Sequence, residues 1–312
     1  MSQSVPASDQ VRRFIIENRP VRGHWVRLEG AWRELRAHRE YPELVRELLG
    51  QAVAASVLLA ASLKFRGTLS LQLEGNGAVR LLVAQCTHDY RLRAVARFDD
   101  SAVETIAAAA ADARSFRQLV GTQGRVVVTI EAEERSMRYQ GIVPLTGASL
   151  AESLESYFAT SEQLPTRVVL AADAERGAGV LVQKVPGRAT EDDEELGAIW
   201  EEAGLGIANL SPAELLDCPV EEVLNRSFAE YDLRLFRGSP VQFECRCSHG
   251  RVTTLLRALG EEEVRDILKE QGAVTVTCEF CHRPYRFAAR DIEVLFKDEG
   301  DLPSTGDPPS IH

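Results

Sequence analysis

Two short stretches late in the chain constrain its folding most: "FECRCSHG", residues 243–250, and "VTCEFCHRPYRF", residues 276–287. They hold four of the chain's 6 cysteines in two tight pairs, a CxC and a CxxC. Packing alone gives no reason for such pairing, whereas the gripping of one atom does. Val241 and Phe243 alternate with polar residues in "VQFECRCS". The spacing predicts a strand on which Cys245 and Cys247, two apart, point to one side. "AVTVT" predicts another strand, and Cys278 and Cys281 follow it in a turn. Between the pairs, "LLRALGEEEVRDILKEQG" predicts a helix ended by Gly272. Two knuckles bridged by one helix have too small a core to hold unaided, and a structural metal would compensate.

Four thiolates with tetrahedral reach specify zinc, at Zn–S distances of about 2.3 Å. Iron–sulfur and Cu(I) also accept all-thiolate sites. His249 and His282 adjoin the cysteines but read as lying outside the ligand set, because four thiolates already close a site. A redox role for Cys278 and Cys281 alone lacks a βαβ setting and leaves the CxC unexplained. Cys86 and Cys218 stand singly in apolar surroundings and read as small buried hydrophobes. Neighbouring thiolates form disulfides when oxidised, and a metal site needs thiolates, so oxidation would dismantle this one. For a module folded by its metal, that removes on the order of 10–16 kcal/mol of apparent binding free energy. A typical domain is less stable than that. The quartet can act as a fuse.

The net charge is -11 with a pI near 5.2, which disfavours general nucleic-acid binding. From Cys245 to Lys297 nine Lys/Arg alternate with eight Asp/Glu, so no basic face emerges. "MSQSVPASDQVRRF" lacks the apolar core of a secretory signal, and the expectation is a cytoplasmic protein. In a reducing compartment paired cysteines hold metal or switch redox state. "LLGQAVAASVLLAASLKF", residues 48–65, is interrupted by Gly50, Gln51, Ser56 and Ser62 and reads as a buried helix, not a membrane span.

Hairpin-like strand pairs and separate helical blocks predict an α+β N-terminal domain with an antiparallel sheet over 1–185. A strand is expected at 21–28, a helix after Pro42, and a hairpin turning at Asn76-Gly77 with left-handed residues. "GNG" opens a strand, not a helix, and so is no phosphate loop. Ser101 and Glu104 suggest a capping box for the Ala-rich 102–113 block. A strand pair follows around a charged turn at Glu133–Arg135, then a helix and, after Pro165, a strand. Residues 186–232 read as an acidic helical linker. Leu196, Ile199, Ala203, Ile207 and Leu210 form its apolar stripe, Gly204 and Gly206 weaken it, and Ser211, Pro212 and Glu214 cap its second helix. Such a linker can dock or let go, or pack permanently. Replacing both glycines by Ala is expected to stabilise it. Residues 233–297 read as the zinc-binding module and 298–312 as a disordered tail. His88, Asp89, Asp173 and Glu175 are available acid–base groups, but no nucleophile–base set accompanies them, and no enzyme is expected.

The motifs "FECRCS", "LLRALGEEEV", "TCEFCHRPYRF" and "DIEVLF" carry a resemblance, together with "VRGHWVRL", "YPELVRELLG", "LKFRGTLSLQLEGNG", "YQGIVPLTGASLAESLESYF" and "SEQLPTR". From about residue 11 to 296 the chain resembles the redox-regulated heat-shock protein 33 chaperone family. The resemblance implies an ATP-independent holdase of the oxidative stress response. Its reduced form keeps one zinc per chain on Cys245, Cys247, Cys278 and Cys281 and is inactive. Oxidation by peroxide or hypochlorite joins Cys245 to Cys247 and Cys278 to Cys281, releases zinc, unfolds the module and loosens the linker. The protein then forms a homodimer and holds unfolding client proteins, with no nucleic acid or membrane partner. His249 and Gly250 stand where charged residues are frequent in the family, and the 102–113 block is unusual for it. Neither departure touches a ligand position. The alternative is a zinc-ribbon nucleic-acid-binding regulator, which requires a basic face and an affinity falling steeply with salt.

Overall fold

Two six-stranded sheets pack against one long helix in the computed structural model, which describes residues 8–109, 115–133, 138–185 and 193–297. The chain divides after Glu244 into two compact units. In the first, β1 (Gln10–Ile16) and β2 (Val21–Leu28) form a hairpin, and α1 (Gly30–Arg36) leads into α2 (Glu43–Ser62). β3 (Gly67–Glu74), β4 (Val79–Thr87) and β5 (Arg91–Phe98) form a meander. α3 (Asp100–Ala108) and α4 (Phe116–Val120) precede a second hairpin, β6 (Arg125–Ala132) with β7 (Arg138–Pro144). α5 (Leu150–Tyr157) runs into a π-helical turn, Phe158–Glu162, before the hairpin β8 (Thr166–Ala172) and β9 (Gly177–Lys184). The helices α6 (Asp193–Ala208), α7 (Pro212–Asp217) and α8 (Val220–Ser227) follow. β10 (Leu233–Leu235), β11 (Ser239–Pro240) and β12 (Gln242–Phe243) complete the unit.

One sheet has the order β10-β1-β2-β9-β8, with β11 also on β1; the other runs β12-β5-β4-β3-β6-β7. All pairings are antiparallel except β12 on β5. The fold is α+β with antiparallel sheets, as the hairpin pattern implied. α2 contacts strands of both sheets and buries 14 of its 20 residues. Small side chains make that approach possible: a Cβ on Gly50 would lie 2.5 Å from Ala172 Cβ. Ser56 and Ser62 donate to the carbonyls of Val53 and Leu59 one turn back, so their burial leaves no hydroxyl unpaired. Among the described residues α2 is the one helix long and apolar enough to cross a membrane, and the protein itself covers it.

β2 departs from simple alternation because both its faces are covered. Val26 and Leu28 join the core around α2, whereas Val21 and Trp25 join a second core beneath α6, α7 and α8. Ile199, Ala203, Ile207 and Leu210 of the expected stripe are buried there, with Trp200, Leu215, Val223 and Phe228. The side chain of Leu196 lies outside the described residues. The three helices are therefore seated on the first sheet, and Ser211 and Glu214 form the expected capping box. Residues 233–244, expected to open the C-terminal module, belong instead to the sheets of the first unit, because β10 and β11 pair with β1, and β12 pairs with β5.

Three local expectations are corrected. Asn76 and Gly77 do not adopt left-handed conformations. Their amides donate to Val120 O, at 3.0 and 3.1 Å, and a Cβ on Gly77 would meet Gly121 N at 2.5 Å. The loop is shaped by a neighbour, not by a tight hairpin turn. The cap of α3 is Asp99, which accepts from the amide of Ala102, and Ser101 donates to Asp99 instead of capping. The helix expected between the cysteine pairs is two, α9 (His249–Leu259) and α10 (Glu261–Gln271), separated by Gly260 at φ 100°. Residues 110–114, 134–137, 186–192 and 298–312, and the expectations for them, lie outside the described residues.

The linker glycines also differ from each other. A Cβ on Gly204 meets only the Arg167 side chain, at 3.5 Å, whereas one on Gly206 would lie 2.3 Å from Ser227 O. Gly206 is where α6 touches the end of α8, so the expected gain from Ala there is reversed. Gly204→Ala should stabilise α6 by about 1 kcal/mol and delay proteolysis within 193–232 on heating. Gly206→Ala should advance it. Matching onsets for the two variants would contradict this packing.

Candidate metal centre

In the second unit β13 (Val274–Thr277) pairs with β14 (Pro284–Phe287), and α11 (Ala289–Lys297) follows. With α9 and α10 they enclose a small core that includes Val252, Val264, Phe287 and Phe296. The β13–β14 turn carries the CxxC. It is closed twice, by the Cys278 amide on Arg283 O at 3.0 Å and the His282 amide on Cys278 O at 2.8 Å. His282 takes the left-handed conformation, φ 50°, that lets the turn reverse over so few residues.

The CxC is not in a strand. Pairing on β5 ends at Phe243, and Cys245 and Cys247 lie in irregular chain between β12 and α9. Two local contacts hold it instead. Ser248 caps α9 by accepting from the Arg251 amide, and the Arg251 guanidinium donates to Arg246 O at 2.9 Å. The strand expected from the alternation stops short because the chain must turn into α9.

The structure brings Cys245, Cys247, Cys278 and Cys281 together, with all four Sγ atoms within 4.8 Å of one another. The Sγ of Cys245 is 3.6 Å from that of Cys278, and the Sγ of Cys247 is 3.3 Å from that of Cys281. A tetrahedral site with metal–sulfur distances of about 2.3 Å has sulfur–sulfur edges of about 3.8 Å. The cluster fits such a site. Tyr285 donates its hydroxyl to Cys247 Sγ at 3.1 Å. Burial and the adjacent thiols push Cys245 up to about 12. Burial also works to raise Cys247, but the hydrogen bonds from Tyr285 and the neighbouring thiols outweigh it and bring it down to about 7. Cys281 is raised, chiefly by burial. A cation at the centre of the cluster would stabilise all four as thiolates.

His249 is exposed and stacks near Phe287, ring centroids 4.7 Å apart, and it does not join the sulfur cluster. Cys86 is fully buried, and burial raises its thiol pKa. Cys218 is half-buried at the end of α7. The acid–base candidates serve turns. Asp89 accepts from Thr87 and Arg91 at the β4–β5 turn, and those hydrogen bonds, Thr87's foremost, hold its carboxyl below the usual range. Asp173 accepts from the amides of Glu175 and Arg176 at the β8–β9 turn, and His88 accepts from the Gly67 amide at 3.2 Å. Sequence reasoning missed Tyr285. The alternation of Tyr285 and Phe287 in "RPYRF" places both on one face of β14, and that period was the available signal.

Comparison with known proteins agrees with this architecture. The family model described as "Hsp33 protein" matches residues 9–288. A "33 kDa chaperonin" of Nitrosococcus oceani is 41% identical over 297 residues, covering 95% of this chain and 97% of that protein. A second, of Methylobacillus flagellatus, is 40% identical over the same length and the same shares. The crystal structure of the 33 kDa chaperonin (heat shock protein 33 homolog) of Thermotoga maritima superposes with a TM-score of 0.78. It covers 94% of this chain and 100% of that one, at 24% identity, and shows a shared fold. By the extent of these matches, the chain belongs to the Hsp33 family.

Proposed function

We propose that this protein is a redox-regulated, ATP-independent chaperone whose reduced form holds one zinc ion on Cys245, Cys247, Cys278 and Cys281. The convergence of four sulfurs within 4.8 Å, in a unit with a small core, is the observation that carries this reading. Membership of the Hsp33 family, whose relatives are named chaperonins, supports it and favours a non-enzymatic role. Bound zinc would cross-link the CxC to the CxxC and supply folding free energy that the core of the module lacks.

Oxidation works on the sulfurs themselves. In each pair two thiolates give two electrons to one peroxide, which takes up two protons from solvent, leaving one disulfide and two waters. The pairs proposed are Cys245 with Cys247 and Cys278 with Cys281, on the strength of the family resemblance. A disulfide sulfur is no longer a thiolate ligand, so each bond formed removes two ligands. The module then unfolds, α6 to α8 leave the first sheet, and the apolar surface of their shared core becomes available to unfolding client proteins. A homodimer accompanies activation. The CxC lies in irregular chain pinned by Arg251 and Ser248, so its thiols close their small ring only after that segment loosens.

Reduced protein should contain one zinc per chain by mass spectrometry. Cys→Ser at 245, 247, 278 or 281 should sharply weaken its retention, whereas replacing Cys86 or Cys218 should leave the zinc content unchanged. Zinc lost only through Cys86 or Cys218 variants would sink the assignment. Reduced and oxidised protein, compared without nucleotide on a denaturant-unfolded client, should differ: only the oxidised form suppresses aggregation. Peroxide in the cold should oxidise Cys278 and Cys281 and free zinc with incomplete activity, and mild heat should complete the second disulfide and the dimer. Equal suppression by the reduced, zinc-loaded form would mean that the quartet is purely structural.

A further inference from the structure

Three arginines of the first sheet converge on the corner where α7 meets α8. Arg27 of β2 donates through Nη2 to Leu215 O at 2.9 Å and to Cys218 O. Arg176, in the β8–β9 turn, donates through Nη1 to Leu216 O at 3.1 Å and to Asp217 Oδ1 at 2.5 Å. Arg12 of β1 pairs with Glu221 of α8, and its Nε donates to Phe236 O at 3.2 Å. The last carbonyls of a helix have no partner within it, and here guanidinium groups serve three of them. Carbonyls and carboxylates of the linker thus end on charges that belong to the sheet.

The docked core described above packs carbon against carbon and has no direction. The corner differs, because hydrogen bonds to a charged group are directional and stronger than neutral ones. It is also open to solvent: a cavity of about 430 Å³ lies beside it, lined by Arg12, Trp25, Arg27, Asp217 and Glu221 among others. Burial and the adjacent charge of Arg176 lower the pKa of Arg27, while Asp217 and Glu221 act in the opposite sense. The linker's acids offset a repulsion between two guanidinium groups, and that repulsion returns when the linker leaves.

We propose that Arg12, Arg27 and Arg176 are positioning residues that latch the α7–α8 corner to the first sheet and set how readily the linker leaves it, independently of the sulfur cluster. This rests on the reading of the linker as part of the switch. The latch acts on α7 and α8, the end of the linker that has the capping box, so α6 is free to loosen first.

The test uses full-length, reduced, zinc-loaded protein with Arg27→Met, with Arg176→Met and with both. Arg234→Met on β10, which removes the pair with Glu17, is the control. Each latch variant should be cleaved within 193–232 about ten-fold faster than wild type, the scale of one lost hydrogen bond to a charged group. The double variant should be cleaved faster still, with zinc per chain unchanged and the control close to wild type. Raising salt should accelerate cleavage of wild type more than of the double variant. Wild-type cleavage rates in both single variants would overturn the latch, as would acceleration accompanied by zinc loss. Should Arg27→Met fail to fold, Arg176→Met, in a surface turn, decides alone. Faster cleavage with an unchanged oxidant requirement for aggregation suppression would uphold the latch and remove the linker from the switch.

Discussion

A helix with a sheet packed on more than one of its sides has no face left for polar side chains, and α2 meets this constraint with alanine, valine, leucine and two self-satisfied serines. The larger core of the first unit is built around that burial. Strands from both sheets approach α2, and Gly50 lets β8 come closer than any side chain would allow. A core of this kind is close-packed, and it transmits strain instead of absorbing it.

The second core of the first unit is built differently. It consists of one sheet face and three helices, of which α7 and α8 are too short to be stable without the sheet. α7 and α8 are 6 and 8 residues long, and of the two only α7 has a side-chain cap at its start. Their helicity depends on docking, so losing the docked face means losing the helices too. That coupling makes the segment cooperative.

The second unit depends on sulfur. Its buried core is small, its helices are polar over most of their surface, and its two strands are four residues each. Within it, four cysteines from two separate stretches occupy one point, where their protonation preferences conflict: Cys247 is pulled toward the thiolate and Cys245 is pushed away from it. A dense group of thiols of this kind stays together when something at its centre draws off the protons. Tyr285, on β14, touches the cluster through its hydrogen bond to Cys247 Sγ.

Much of this was legible in the residues alone, and the legible parts share one property: the signal is local. Strand alternation gave β3 with β4 and β6 with β7, Ser211-Pro212 with Glu214 marked the start of α7, and the spacing of Cys278 and Cys281 announced a turn. Each of these needs only residues within a few positions of one another. The misreadings share the opposite property. Asn76-Gly77 has the composition of a tight turn, yet its amides are claimed by Val120, more than forty residues on. Gly206 looks like a weak point of a helix and is the contact with Ser227. The CxC appears to continue a strand, but the chain has already left β5. Nothing local marks Arg12, Arg27 and Arg176, spread over three elements, as neighbours of one helix corner. The sequence by itself determined the elements, the caps and the ligand-bearing residue types, because these follow from backbone geometry and period. Only the tertiary structure decided which glycine is a contact, which amide is borrowed and where the charges meet, because those depend on distances that no spacing along the chain encodes.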